Sequence, residues 1–132
     1  MQENASKVAR FLLNHPRVER VIYPELFDTN SEQWRIYRKQ CDGPGSMITF
    51  DPVGKKENSY AVLNNLEIFY LAVSLGGVES LAENPWYHTH SDVSEEIKAK
   101  AGMKPQSIRL SIGLEDADDL CDDLNNALAL IN

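Results

Sequence analysis

Helical and extended patterns alternate along the whole of this 132-residue chain, and that alternation restricts the folds that it can adopt. The clearest pattern lies at 114–131, where apolar residues recur three and four positions apart, as on one face of a helix. The other predicted helices have an apolar stripe or a polar capping residue, and they lie at 4–13, 31–41, 55–66 and 94–101. Segments rich in β-branched and aromatic residues predict strands at 17–23, 46–50, 69–73 and 106–112. The order predicts an α/β domain of two layers (α+β), a small sheet of about four strands with helices packed on it.

Composition is that of one ordinary globular domain, 1–132, with 42% apolar and 25% charged residues. The net charge of −7 argues against a nucleic-acid surface, and no apolar run is long enough for a membrane span. The first residues lack the pattern of a signal peptide. Cys41 and Cys121 are far apart and predict reduced thiols, so we expect a cytoplasmic protein.

The stretch at 69–90 is predicted to carry the functional site. Five of its first six residues are apolar or aromatic, which predicts a buried, central strand. Ser74 and Leu75 then lead into Gly76 and Gly77, a pair that lets backbone approach a ligand closely or simply forms a tight turn. Ser74, Thr89 and Arg109 carry the hydroxyl and guanidinium groups that hold a small carboxylate.

Arg109 stands in the middle of a predicted strand, between Ile108 and Leu110. A buried arginine is costly unless it has an anionic partner. Two interpretations are open at this point: a structural salt bridge to one of the carboxylates of the chain, or a bidentate clamp on the carboxylate of a substrate.

Other chemical motifs are absent or incomplete. His88, His90 and Asp92 could share a face if the segment is extended, but they lack a fourth ligand, and we predict no metal site. The sequence contains no nucleophile elbow, phosphate-binding loop or dinucleotide fingerprint. Residue chemistry alone therefore predicts an α/β domain with a contact for a small anion.

Two longer motifs resemble a known family. Ser-Leu-Gly-Gly-Val-Glu-Ser-Leu at 74–81 and Ile-Arg-Leu-Ser-Ile-Gly-Leu-Glu-Asp at 108–116 are accompanied by His15-Pro16 and Thr89-His90. In these motifs the chain resembles the Cys/Met-metabolism family of pyridoxal-phosphate (PLP) transsulfuration enzymes, which includes cystathionine γ-synthase, cystathionine γ-lyase and methionine γ-lyase. The likeness covers essentially the whole chain but only the C-terminal part of the family sequence, the small domain of a fold-type I PLP enzyme.

The resemblance implies a role for several residues. Arg109 matches the arginine that binds the substrate α-carboxylate, and Ser74 matches the serine beside the catalytic lysine and that carboxylate. Thr89 matches the threonine that lines the same pocket, and the supporting loop is Leu75, Gly76 and Gly77.

Val73 occupies a substrate-facing position of the family. Cystathionine-handling members commonly carry Glu there and methionine γ-lyases commonly carry Val, so the resemblance disfavours cystathionine as the substrate. The chain departs from the family at Glu25, where Gly is usual, and at 86–88, where Trp-Tyr-His replaces smaller residues.

The resemblance also implies what the chain lacks. The Schiff-base lysine and the partner of the pyridine nitrogen belong to the N-terminal PLP-binding domain of the family, so we expect no catalytic residue in 1–132 and no activity or bound PLP in the isolated chain. The face that packs on that domain should hold Ser74, Thr89 and Arg109 and be apolar. The lysines expected to be free, with nothing to lower their pKa, are Lys55, Lys56, Lys98, Lys100 and Lys104.

For the full-length enzyme the resemblance implies a homotetramer that acts on sulfur amino acids or activated homoserine, by γ-elimination or γ-replacement. The alternative is a stand-alone, non-catalytic binding or regulatory module that has kept the fold.

Overall fold

The computed structural model describes residues 1–132 as one five-stranded sheet with five α-helices. The helices are α1 (Gln2–Leu13), α2 (Glu32–Gln40), α3 (Lys56–Asn64), α4 (Glu95–Lys100) and α5 (Ala117–Leu128). The strands are β1 (Val18–Ile22), β2 (Met47–Pro52), β3 (Tyr70–Leu71), β4 (Leu81–Glu83) and β5 (Ile108–Ser111). None of the helices has the length and apolar character that crossing a bilayer requires.

The strand order in the sheet is β1-β2-β5-β4-β3, so β5 lies at the centre. All neighbours are antiparallel except β3 and β4, which are parallel. In this register Arg109 on β5 stands between Thr49 on β2 and Glu83 on β4.

One face of the sheet is covered by α1, α3 and α5, which form a single core with it. Ile108 and Leu110 of β5 are completely buried in that core, as are Ile48 and Phe50 of β2. Because successive side chains of a strand point to opposite faces, Arg109 lies on the face away from this core.

The α/β prediction is confirmed, but the sheet has five strands rather than about four. The strand without a sequence prediction is β4, only three residues long. The prediction of a buried central strand at 69–73 is wrong, since β3 is a two-residue edge strand with Tyr70 and Leu71 exposed by 65% and 56%. Only Phe69 of this apolar run enters the core.

Asn4, the polar residue at the start of the helix predicted at 4–13, is not its cap. It lies inside α1, with Met1 at the N-cap position. Its side-chain Nδ2 donates to the carbonyl oxygens of Gly113 and Glu115, at 3.3 and 2.7 Å. Asn4 therefore ties α1 to the loop that follows β5.

That loop is also tied to the residue before β4. Glu115 accepts hydrogen bonds from the backbone N–H of Ser80 (2.7 Å) and from its hydroxyl (2.8 Å), and Ser80 Oγ accepts from Gly113 N (2.9 Å). A Cβ at Gly113 would collide with the carbonyl oxygen of Val78, so the close approach requires glycine. Burial raises the pKa of Glu115, but the hydrogen bonds from Ser80 outweigh it and hold the pKa below its usual value.

The lowered pKa of Glu115 predicts a pH-dependent contribution to stability. A carboxyl whose pKa is lower when folded stabilises the fold above its unfolded pKa, about 4.3, and loses that contribution as the pH falls through the folded pKa. We expect Glu115→Gln to lower the free energy of unfolding by about 1 kcal/mol at pH 7, with a smaller difference at pH 3.

Urea unfolding at both pH values measures this difference. The exposed Glu79, which lies beside the same loop, gives the control variant Glu79→Gln, for which we expect no pH-dependent difference. A Glu115→Gln difference that is equal at pH 7 and pH 3 would contradict the role of its charge.

Candidate functional site

The centre of the candidate site is an ion pair between neighbouring strands. Arg109 Nη2 lies 2.9 Å from Glu83 Oε1, and the two side chains are 19% and 1% exposed. The pair forms because antiparallel β4 and β5 place these residues directly opposite each other, on the sheet face away from the helical core.

The loop after β3 closes over the guanidinium. Arg109 Nη2 donates to the carbonyl oxygens of Val73 at 2.9 Å and Ser74 at 3.5 Å. Gly76, whose positive φ of 76° suits glycine, donates its N–H to Ser111 Oγ at 2.8 Å. The predicted loop residues are therefore held against β5 by their backbone, while the side chains of Val73, Ser74 and Leu75 are exposed.

Thr89 reaches the same ion pair from the turn that follows β4. Its Oγ1 donates to Glu83 Oε1 at 3.3 Å and lies equally far from the carbonyl oxygen of Pro85. The structure thus brings Val73, Ser74, Thr89 and Arg109 together, with Glu83 between them.

Glu83 is the site residue that sequence analysis missed. The available signal was an acidic residue in the run Leu-Ala-Glu at 81–83, but its position across from Arg109 depends on a strand too short to predict. Its Oε2 is buried and has no hydrogen-bond partner. A buried carboxylate oxygen without a donor is costly, so this atom is suited to a donor from another molecule or chain segment.

The ion pair leaves part of the guanidinium unused. All its contacts, to Glu83, Val73 and Ser74, are made by Nη2. An arginine has five N–H donors, so the groups on Nε and Nη1 remain without a protein acceptor. A structural salt bridge at Arg109 is therefore present, and it leaves donors for a second anion.

The histidines near Thr89 are not arranged on one extended face. Residues 86–90 form turns, and His88 Nδ1 accepts from Asn84 N at 3.3 Å while His90 Nδ1 lies 2.9 Å from the carbonyl oxygen of Pro85. No group of three or more His, Cys, Asp or Glu side chains is placed to hold a metal ion.

Comparison with known proteins places this chain in a family. The family model for Cys/Met metabolism PLP-dependent enzymes matches residues 1–129. The chain belongs to this family.

The relatives are longer than this chain. Cystathionine γ-lyase of Mus musculus is 46% identical over 126 residues, which are 96% of this chain and 31% of that protein. The crystal structure of a cystathionine γ-lyase from Micromonospora echinospora matches with a TM-score of 0.87 at 37% identity, over 96% of this chain and 32% of that one. A Campylobacter jejuni protein assigned as an O-acetylhomoserine (thiol)-lyase has a crystal structure that carries N'-pyridoxyl-lysine-5'-monophosphate. It matches with a TM-score of 0.89 at 36% identity, over 97% of this chain and 30% of that one. The chain thus spans about a third of the length of these relatives.

The candidate site itself offers PLP no lysine. An internal aldimine needs a lysine, and no lysine contacts Arg109, Glu83 or Thr89. The one buried lysine, Lys98, donates its Nζ to the carbonyl oxygen of Trp86 at 2.9 Å.

The expectation that five lysines are free is wrong for three of them, because Lys98 is buried, Lys100 pairs with Glu96 and Lys104 pairs with Glu19.

The buried setting predicts strong coupling between Arg109 and Glu83. Removing one member of a buried pair leaves the other charge uncompensated, so we expect Glu83→Gln and Arg109→Met each to destabilise the chain. The double variant should lose less than the sum, with a coupling energy of about 1–3 kcal/mol. Urea unfolding of the four proteins measures it.

The exposed pair of Lys100 and Glu96 on α4 is the matched control. A double-mutant cycle on this pair should give a coupling energy of about 0.3–0.5 kcal/mol. Equal coupling energies in the two cycles would mean that Glu83 does not hold Arg109 in place.

Proposed function

We propose that this chain is the substrate-carboxylate-binding domain of a longer PLP enzyme that acts on sulfur amino acids or activated homoserine, by γ-elimination or γ-replacement. The observation that carries the proposal is the meeting of Arg109 with Val73, Ser74 and, through Glu83, Thr89. PLP, held by the rest of the enzyme, supplies the electron sink for the reaction.

Arg109 is the residue that binds the substrate carboxylate in this proposal. A carboxylate can accept one hydrogen bond from the unused Nη1 and a parallel one from the adjacent Nη2, which it would share with the acceptors already there; a lysine ammonium lacks this planar pair of donors. The contacts to Glu83 and Val73 hold the guanidinium in place before the substrate arrives. A hydrogen bond to a charged group contributes about 1.5–3 kcal/mol.

Ser74 and Thr89 carry exposed side chains with hydroxyl groups next to the ion pair, and Val73 presents an exposed apolar side chain to the substrate. Leu75, Gly76 and Gly77 support these residues through the bond from Gly76 to Ser111. A valine cannot pair with the second amino group of cystathionine, so Val73 favours a smaller or less polar side chain in the substrate.

The exposed surface next to the site is suited to contact with another protein domain. The exposed apolar side chains next to the site are Leu71, Val73, Leu75 and Val78. An apolar patch of this kind is typical of an interface, and we propose that the PLP-binding domain covers it in a homotetramer. The free thiols of Cys41 and Cys121 fit a cytoplasmic enzyme.

A chimera tests the role of Arg109, in which residues 1–132 replace the matching segment of mouse cystathionine γ-lyase. We expect Arg109→Lys to weaken substrate use because the planar fork is lost, and Arg109→Ala to lower kcat/KM by roughly tenfold or more and raise KM. Steady-state kinetics with L-cystathionine and L-methionine measure both. PLP should stay bound, because its ligands lie elsewhere, and its absorbance checks this.

Arg35→Ala, at an exposed arginine of α2, is the control and should leave the kinetics unchanged. If Arg109→Ala lowers the melting temperature but leaves KM and kcat/KM unchanged, Arg109 is only a structural residue. An inactive but folded chimera would favour the alternative, a non-catalytic binding or regulatory module.

We also expect the 132-residue chain alone to form no internal aldimine with PLP and to be inactive. Lys55 and Lys56 are exposed and lie outside the candidate site, and the Nζ of Lys98 donates to the carbonyl oxygen of Trp86. Incubation with PLP, borohydride reduction and mass spectrometry measure the modification. A stoichiometric adduct at a single lysine would contradict the proposal, whereas substoichiometric labelling spread over surface lysines is the expected background.

A further inference from the structure

A cavity of about 300 Å³ opens at the start of α3, and none of its lining residues belongs to the candidate site described above. Its wall includes Lys55, Lys56 and Glu57 from the start of the helix, together with Tyr87 and Gln106. The cavity is therefore built from three separate parts of the chain.

The helix start supplies donors and positive charge to this cavity. The first N–H groups of an α-helix have no partner within the helix, and Lys55 at the N-cap contributes no side-chain acceptor. Lys55 and Lys56 are exposed and form no ion pair, although acidic residues outnumber basic ones in the chain by 20 to 13. Helix dipole and lysine charge both favour an anion here.

Gln106 supplies the second, independent indication of a ligand. The residue is only 9% exposed, yet its side-chain amide forms no hydrogen bond with the protein. The amide atoms are not among the fully buried side-chain atoms without a partner, so they keep contact with solvent, and Gln106 is one of the residues that line this cavity. Because this amide has no partner in the protein, its two N–H donors can bind an anion oxygen.

We propose that this cavity binds the phosphate monoester of a small organic molecule. The phosphate would accept from the N–H groups at the start of α3, from the lysines and from the Gln106 amide. The cavity has room for more than a phosphate ion, and the Tyr87 ring, 5.7 Å from Lys56 Nζ, offers a wall for the organic part. The carboxylate of Glu57 disfavours a second acidic group, so the organic part carries no acid.

Nuclear magnetic resonance of the ¹⁵N-labelled 132-residue chain tests the proposal with three probes: glucose 6-phosphate, inorganic phosphate and glucose. We expect glucose 6-phosphate to shift the Lys56 and Glu57 amide signals and the Gln106 side-chain signal in a saturable way, more tightly than inorganic phosphate does, and glucose to shift none. Absence of saturable shifts overturns the site, and equal affinity for the first two probes overturns the organic ester as its ligand.

Two variants locate the binding. Gln106→Leu and Lys56→Gln should each weaken the affinity for glucose 6-phosphate by about tenfold, since each removes a donor to a charged group. Lys39→Gln, at an exposed lysine of α2 that forms no ion pair, is the matched control and should change nothing. If Gln106→Leu disturbs the fold, Lys56→Gln at the surface decides the matter. Unchanged affinity in Lys56→Gln, or equal weakening by Lys39→Gln, overturns the proposal.

Discussion

The antiparallel pairing of β4 with β5 is the constraint on which the candidate site depends. Ile108 and Leu110 fill the core beneath α1 and α5, and the two-residue period of a strand then fixes Arg109 on the opposite face. The same pairing sets Glu83 across from it. A slip of one residue would turn the guanidinium into the apolar core and Ile108 and Leu110 out of it, so the hydrophobic core specifies the face on which the charge lies.

The site is also connected to the helical layer, although no helix contacts Arg109 through a hydrogen bond. Asn4 on α1 holds the carbonyl groups of Gly113 and Glu115, and Glu115 in turn holds Ser80, the residue before β4. The chain of bonds therefore runs from α1 across the end of β5 to the strand that carries Glu83. Substitutions in this network can shift the ion pair without touching any group that would contact a ligand.

The sequence predicted the elements with a long apolar repeat and the residue whose burial costs free energy. α5 was recognisable from its apolar repeat, and an arginine between two buried residues required an anionic partner. Glu83 was not recognisable, because β4 has three residues and its register is set only by the folded sheet. The run at 69–73 was misread because a short apolar segment has the same composition whether it is buried or lies exposed at a sheet edge. The grouping of Ser74, Thr89 and Arg109 came from their hydroxyl and guanidinium chemistry and from the family motifs, and not from periodicity.

Three kinds of unsatisfied group lie together at the candidate site and call for different partners. The edge side chains near Val73 expose apolar surface, Glu83 Oε2 lacks a donor, and Arg109 keeps N–H groups without an acceptor. Water can reach the partly exposed guanidinium and competes with any carboxylate that binds there, which weakens the interaction. A protein surface laid over the apolar edge would exclude that water and strengthen the same contact by lowering the local dielectric constant. The affinity of Arg109 for a carboxylate is therefore a property of the covered site, and the proposed domain partner acts on substrate binding even where it does not touch the substrate.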